Sequence, residues 1–532
     1  MTQQAAEGGV DTRQLDYVHN LASRFAKVVD ECADLPAIIF EAGNVATYRQ
    51  LDQHSNQVAR FLLERGLRRR DRVCISLEKS LLAYSVVLAC IKTGITYYAV
   101  DPTSPQDRLD RILQNCPPGL VFAESGEPFG SYHENTVLCP YGQLDFCRDQ
   151  PSHRLDFNLV KLADPAYIMF TSGSTGDPKG VVITHANLNK FIDWAIGEFA
   201  FTETDRHTHI NPIYFDNSVF DIYSTFFSGG ALVPFRVAEV RDPFRVVSRI
   251  EELSCTVFFS VPSMLIFLQT TRAIEVGSMP SLRKIIFGGE GYPVARLREL
   301  RSAIGPGTQL INVYGPTECT CICSSHLIDD ADLLLCEGFP PIGGVNTYFD
   351  YYLLDGDEAV PPGTVGELCL GGPCVGHGYF NNKELSAKAF VQNPTNPDFR
   401  EIIYRTGDLM RLGPEDGMLW FVGRKDFQVK HQGYRIELEE IQHSMNRISG
   451  VDESAALQIF VEGASRLVGF VASSAGVKPA DVRIAAAGLL PKYMVPQTVL
   501  VLNQLPKNAN GKTDRKKLLE IVEAGKSPGD IN

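Results

Sequence analysis

Over roughly its first 300 residues the chain repeats one rhythm, an amphipathic run at helical spacing followed by a short run of β-branched and aromatic residues. SNQVARFLLERGL leads into RVCISL, SLLAYSVVLACIKTG into TYYAVD, and RLDRILQNC into GLVFAE. Apolar residues three and four apart make one face of a helix, whereas a short apolar run rich in β-formers and bounded by turn residues makes a buried strand. Their alternation predicts βαβ units and a parallel sheet covered by helices. From about Tyr348 to Tyr379 the pattern changes to short strands cut by Gly and Pro turns (YFDYYLLDGDEAVPPGTVGELCLGGPCVGHGYF), which predicts a small antiparallel or barrel-like section. A second change follows GRKDFQVKHQGYR, where RIELEEIQHSMNRI and RIAAAGLLP read as helices and LVGFVAS as a strand, so the C-terminal part reads as a compact α+β unit.

At 532 residues the chain exceeds what one hydrophobic core supports, and 44% hydrophobic with 21% charged residues is ordinary globular composition. A net charge of −13 argues against general nucleic-acid or anionic-membrane binding, which needs clustered Lys and Arg. No run approaches about 18 apolar residues, and MTQQAAEGGVDTRQ lacks the basic-then-apolar order of a leader, so a cytoplasmic protein is expected. Thirteen cysteines without a secretion signal suggest free thiols. Cys319, Cys321 and Cys323 alternate along what reads as a strand, and with no CxxC or nearby His they suit packing better than zinc.

Residues 170–185, FTSGSTGDPKGVVITH, gather glycines, hydroxyls and one lysine. Backbone N–H groups can approach a polyanion only where side chains are absent, so such a loop suits phosphate. It is not a Walker A loop, because Lys179 is followed by Gly180 rather than Ser or Thr. It lies between two apolar β-runs, AYIMF and GVVITH, and only then comes HANLNKFIDWAIGEF at helical spacing. A strand–loop–strand is expected.

That loop, FDNSVFDIY at 215–223, FGGEGYP at 287–293, NVYGPTE at 312–318, YRTGDL at 404–409, GRKDFQVKHQGYRIELEEIQ at 423–442 and NANGKTDRKKL at 508–518 resemble, in order and spacing, the motifs of the adenylate-forming enzymes. Within that superfamily the chain is similar to nonribosomal peptide synthetase adenylation domains and to stand-alone amino acid:carrier-protein ligases. The resemblance implies a large N-terminal domain, residues 15–425, of two parallel-sheet α/β subdomains plus a small β-barrel-like section, and a small mobile α+β C-terminal domain, residues 426–522. It also implies the cofactors ATP and Mg²⁺.

By the same resemblance, Thr171, Ser172, Thr175 and Lys179 would grip the outer phosphates. Gly289 and Glu290 would border the nucleotide, Asn312 would contact adenine and Tyr314 would stack on it. Thr317 would hold the α-phosphate, and Glu318 would carry the metal. Asp408 would accept the ribose hydroxyls, with Phe421 and Arg424 nearby. Lys512 would be the catalytic lysine, bridging the substrate carboxylate and phosphate oxygens where transition-state charge develops. Asp426 would be the hinge for a rotation that withdraws Lys512 and presents Gln432, Gly433 and Tyr434 to a pantetheine thiol.

In FDNS, Asp216 stands where amino-acid-activating members keep a carboxylate for the substrate ammonium. The remaining pocket positions are Asn217, Phe220, Phe259, Ile286, Gly288, Val313, Cys321 and Ile322, closed by Lys512. A mostly apolar lining leaves a charged side chain without partners and resembles pockets for isoleucine or valine. If Phe220 and Phe259 both point inward, only an alanine-sized acid fits, and Asn217 departs from the pattern in a way that suits a β-amino acid. The implied reaction is ATP-dependent amino-acid activation with transfer to the phosphopantetheine arm of a carrier protein. No carrier sequence follows LLEIVEAGKSPGDIN; a chain that is whole is expected to load a separate carrier, and one excised from a larger synthetase to have been cut from its own. The rival readings are an acyl-CoA ligase and a non-catalytic adenylate sensor; Lys179, Glu318, Asp408 and Lys512 together speak against the sensor.

Overall fold

The structure is a computed structural model that describes residues 20–525 apart from 127–128, 130–131, 133, 157–158, 174–175, 462–463 and 508–512. Thr175 and Lys512 therefore lie outside the described residues.

Among the described residues the strands form five sheets. The first βαβ run builds a six-stranded sheet in which Arg72–Ser76, Thr96–Ala99, Leu120–Ala123 and Pro165–Thr171 run parallel, and Lys179–Thr184 closes one edge antiparallel to Pro165–Thr171. A nine-stranded sheet has a parallel centre: Gln309–Tyr314, Lys284–Gly288, Val257–Ser260, Arg206–His209, Ala231–Pro234 and Pro36–Glu41. Antiparallel strands finish both of its edges. A six-stranded antiparallel sheet spans Asp350 to Arg424, longer than the turn pattern alone indicated. The C-terminal part holds the hairpin Gln428–His431 with Tyr434–Glu437 and a three-stranded sheet. The architecture is thus the expected α/β one with an antiparallel section and a C-terminal α+β unit.

Local chemistry explains the junctions. Helix Leu81–Thr93 starts where the Ser80 hydroxyl accepts the Ala83 N–H, and it stops at Gly94, whose φ of +68° suits glycine. Helix His185–Glu198 follows directly from strand Lys179–Thr184 through a Thr184–Asn187 capping box. Strands Pro165–Thr171 and Lys179–Thr184, paired with one another, therefore fix where the loop between them starts and ends. Ile436, Leu438, Ile441, Met445, Leu467 and Val471 close a separate core in the C-terminal unit.

Two readings of local structure need correction. RIELEEIQHSMNRI is not helical throughout, because Tyr434–Glu437 pairs as a strand with Gln428–His431 and the helix covers only Leu438–Asn446. Cys319, Cys321 and Cys323 are not on a strand. Thr317–Cys319 is a 3-10 turn, and Thr320 and Cys321 adopt left-handed φ of +56° and +75°. This kink lets the Cys321 and Ile322 backbone press against Gly315, where an added Cβ would meet Cys321 O at 2.2 Å. All thirteen cysteines are free, and these three are buried. Among the described residues, no helix is long and apolar enough to cross a membrane.

One close strand contact bears on the site. Gly288 ends its strand opposite Val313, and an added Cβ there would lie 2.3 Å from Val313 O. A neighbour's backbone cannot swing away as a flexible side chain can. We expect Gly288→Ala to lower stability by about 1–3 kcal/mol, measured as the shift of the first denaturant transition; an unchanged midpoint would show that the two strands separate without cost.

Candidate active site

The carboxyl ends of parallel strands from both large sheets face one cavity, the usual place for a ligand in open α/β sheets. One wall is the loop rich in glycine and hydroxyls, with Thr171 ending its strand and Ser172 following. Asp216 and Asn217 come from the start of an irregular helix, where residues 220–224 make a π turn. Gly288, Gly289 and Val313 come from two neighbouring strand ends, and Thr317, Cys321 and Ile322 from the kinked turn beyond. Asp408 and Arg424 face each other across the antiparallel section. Gly433 belongs to the C-terminal hairpin and lines the same cavity.

The centre of the site is a fully buried carboxylate, Glu318. One oxygen accepts the Tyr379 hydroxyl at 2.7 Å and lies 3.8 Å from Lys179 Nζ, and the other pairs with the Arg435 guanidinium. Burial alone would raise this carboxyl, but Arg435, Lys179 and Tyr379 outweigh it and hold it at about 2. Lys179 also reaches Glu437 at 3.8 Å, and its ammonium is lowered by burial and by Arg435.

Asp408 accepts the Tyr314 hydroxyl on one oxygen and Arg424 on the other. Arg424 in turn grips Asp426 through two nitrogens, each at 2.7 Å. Asp216 accepts the Thr317 hydroxyl at 2.5 Å, and its carboxyl is raised chiefly by burial, against the pull of Thr317 and Lys430. Glu290 receives the backbone N–H groups of Gly433 at 2.8 Å and Ser263 at 3.1 Å.

Among the described residues, nine of the expected site residues do not line the cavity: Lys179, Glu290, Tyr314, Glu318 and Asp426 stand behind it in the contacts above, and Phe220, Ile286, Asn312 and Phe421 are engaged elsewhere. Phe220 is buried among Phe191, Phe199 and Phe201 and supports Phe259, ring centroids 4.7 Å apart, while Phe259 itself lines the cavity. Ile286 is core. Asn312 donates its side-chain amide to Pro341 O at 2.8 Å. Phe421 is half exposed on its strand.

Lys430 and Arg435 were not singled out in the sequence. Both line the cavity, and they are direct partners across the hairpin. Like charges opposite one another on a sheet repel, so the hairpin face needs anions to receive it. The receiving anions lie in the site: Glu318 for Arg435, and Asp408 with Asp216 as the charges that favour a protonated Lys430. Lys430 Nζ also stands 5.8 Å from the Tyr314 ring centre. Placing K and R on one face of QVKHQGYRIE was the available signal.

The donor set fits a nucleotide triphosphate. Thr171 carries a buried hydroxyl with no partner among the described residues, in a cavity that also offers glycine backbone at 288, 289 and 315. It also fits Mg²⁺, which typically takes one or two carboxylates and completes its shell with phosphate oxygens and water. Glu318 is such a carboxylate, and no cluster of three or more metal-ligating side chains exists among the described residues.

Comparison with known proteins agrees with this geometry. The AMP-binding enzyme family matches residues 25–380. The chain is 33% identical over 509 residues to surfactin synthase subunit 3 of Bacillus subtilis, covering 93% of this chain and 38% of that protein. It is 32% identical over 511 residues to bacitracin synthase 3 of Bacillus licheniformis, covering 95% of this chain and 8% of that protein. The chain thus spans well under half the length of these curated relatives. A solved NRPS protein containing adenylation and PCP domains, bound to a vinylsulfonamide inhibitor, superposes with a TM-score of 0.82 at 26% identity, covering 95% of this chain and 85% of that one. With the family match extending over more than half of its residues, the chain belongs to the AMP-binding enzyme family, the adenylate-forming ligases.

Proposed function

We propose that this chain activates an amino acid with ATP to an aminoacyl adenylate, releasing pyrophosphate, and passes the aminoacyl group to the phosphopantetheine thiol of a carrier protein in the cytoplasm. The observation that carries the reading is one cavity lined by the partly buried Asp216 and by Asp408, with Glu318 and Lys179 standing behind a wall that Arg435 completes. Thr317 links the two ends through its bond to Asp216.

In the first step a substrate carboxylate oxygen attacks the α-phosphorus, a P–O bond forms, and the bond to the pyrophosphate oxygen breaks. Asp216 holds the substrate ammonium and so aims the carboxylate. Lys179 and the backbone around Gly173 hold the leaving group, and Asp408 and Tyr314 orient the ribose and adenine. Mg²⁺ on Glu318 would neutralise phosphate charge. Lys512, from the motif resemblance, bridges the reacting oxygens.

In the second step a thiol sulfur attacks the acyl carbon, AMP leaves, and the thiol proton is lost. Gly433 supports the thiol route: its φ is +82°, and an added Cβ would sit 2.6 Å from Val261 Cγ1, so backbone closes directly on the cavity wall. The likeness to an NRPS protein carrying a PCP domain also favours a carrier as acceptor. In this reading residues 426–522 form the mobile small domain, with Asp426 as its pivot. Phe259 alone lines the cavity where two inward phenylalanines would have confined it to alanine, which favours a branched aliphatic amino acid, with Asn217 as the residue to explain a β-amino acid.

Amino-acid-dependent ATP–pyrophosphate exchange tests the reaction. Isoleucine or valine should give the strongest exchange among the standard amino acids, several β-amino acids, and aryl and fatty acids; exchange with only a simple carboxylic acid would move the chain to the acyl-CoA ligases. Asp216→Asn should lower kcat/KM for the amino acid by at least about a hundredfold with little change in KM for ATP. For the wild type, KM for the amino acid should rise as pH falls through the raised Asp216 carboxyl value, since the protonated acid cannot pair with an ammonium; a flat profile would remove Asp216 from that role. Lys512→Ala should cost at least about a hundredfold in adenylate formation. Gly433→Leu should leave exchange intact and abolish thioester formation, and normal carrier loading by that variant would exclude the close passage.

A further inference from the structure

Beside Phe220 and Phe259 lies a buried polar cluster that the proposed reaction does not use. Asn211 follows the end of strand Arg206–His209, next to the parallel strand Val257–Ser260. Its side-chain amide nitrogen donates twice, to the Asp221 carboxylate at 2.9 Å and to Phe259 O at 3.4 Å. Asn211 and Asp221 are both buried. Asp221 directly follows Phe220 in the π turn 220–224, so one amide ties the carbonyl of one aromatic residue to the chain neighbour of the other.

Each partner of that amide is itself fastened. A π turn bonds residue i to i+5, so a carbonyl there loses its usual partner four residues on. The hydroxyls at that spacing take its place: Ser224 donates to Phe220 O, and Thr225 donates to Asp221 O at 2.5 Å. The approach to Asn211 is held from the other large sheet. Lys79, in the segment after strand Arg72–Ser76, donates to His209 O and Ile210 O at 2.7 Å each, and Asp221 is the leading charge that favours its ammonium. Burial pushes the Asp221 carboxyl well above its ordinary range, against the pull of Asn211 and Lys79. A buried polar network whose members are joined in this way rigidifies what it touches.

We propose that Asn211 and Asp221 are specificity-determining positioning residues, whose clamp fixes the Phe220–Phe259 pair and so sets how large an amino-acid side chain the cavity admits. This rests on the reading of the cavity as an amino-acid pocket. Phe259 is the ring of the pair that lines it, and Phe220 stands behind with ring centroids 4.7 Å apart. Asn211 and Asp221 are absent from the lining, so they act through the rings and not by contact with substrate. Without the amide, Phe259 O and Asp221 lose the donor they share, and the Phe259 ring can yield to a bulkier substrate. One methylene of fit is worth about 10–200-fold in discrimination, and a loosened wall forfeits part of it.

The test measures kcat/KM by pyrophosphate exchange with the full chain, for the amino acid the wild type prefers and for phenylalanine, with KM for ATP alongside. Asn211→Ala and Asp221→Ala should each lower the ratio of the two amino acids about tenfold while KM for ATP stays within about twofold of the wild type. Asp221→Asn keeps an oxygen that accepts the Asn211 amide, and its ratio should stay close to that of the wild type. If Asn211→Ala does not fold, Asn211→Ser removes the same amide and reads the same ratio. A fall by one common factor for both amino acids, or a ratio unchanged in both alanine variants, overturns the clamp while leaving adenylation standing. So does an Asp221→Asn ratio as low as that of Asp221→Ala. Wild-type exchange with no amino acid overturns the clamp together with the reading beneath it.

Discussion

The site is organised around the cost of burying one negative charge. Glu318 has no exposed surface, and an isolated carboxylate in that setting would take up a proton or force the structure open. Its low pKa of about 2 shows how completely cations and a tyrosine hydroxyl compensate it. Those partners come from far apart in the chain: Lys179 from an edge strand, Tyr379 from the antiparallel section, and Arg435 from the C-terminal hairpin. Satisfying one carboxylate thus draws together three regions that are far apart in the chain.

Much of this was legible in the sequence, for a physical reason. The helix and strand patterns of the first βαβ units are local, and Gly94, Ser80 and Thr184 mark their ends by side-chain chemistry that any reader of the sequence can see. The motif residues were legible because loops at strand ends carry their chemistry in short contiguous stretches. Arg435 was not, since its partner lies 117 residues away and nothing local tells that an arginine in a strand serves a buried acid. The helix beginning at Leu438 was read too early because the strand before it, Tyr434–Glu437, is only four residues long, too short for its alternation to stand apart from the helical run that follows. Cys319–Cys323 misled because an alternating apolar pattern is blind to two residues with left-handed backbone.

The pocket shows a related limit. Phe220 and Phe259 are equally apolar and both buried, yet one faces the cavity and the other props it from behind. Phe220 opens the π turn at 220–224, and its ring lies in the cluster of Phe191, Phe199 and Phe201. Which of two apolar rings reaches the cavity is a matter of tertiary packing, which no periodicity reveals.

The thiols have a consequence of their own. Eleven of the thirteen cysteines are buried, and burial lifts those beside the cavity, Cys319, Cys321 and Cys323, well above the ordinary thiol range. Thiolate is the form that alkylating and oxidising reagents attack. The folded chain therefore carries a set of built-in clocks: each buried sulfur becomes reactive only when its own region opens, and the order in which they are modified traces which parts of the molecule breathe first.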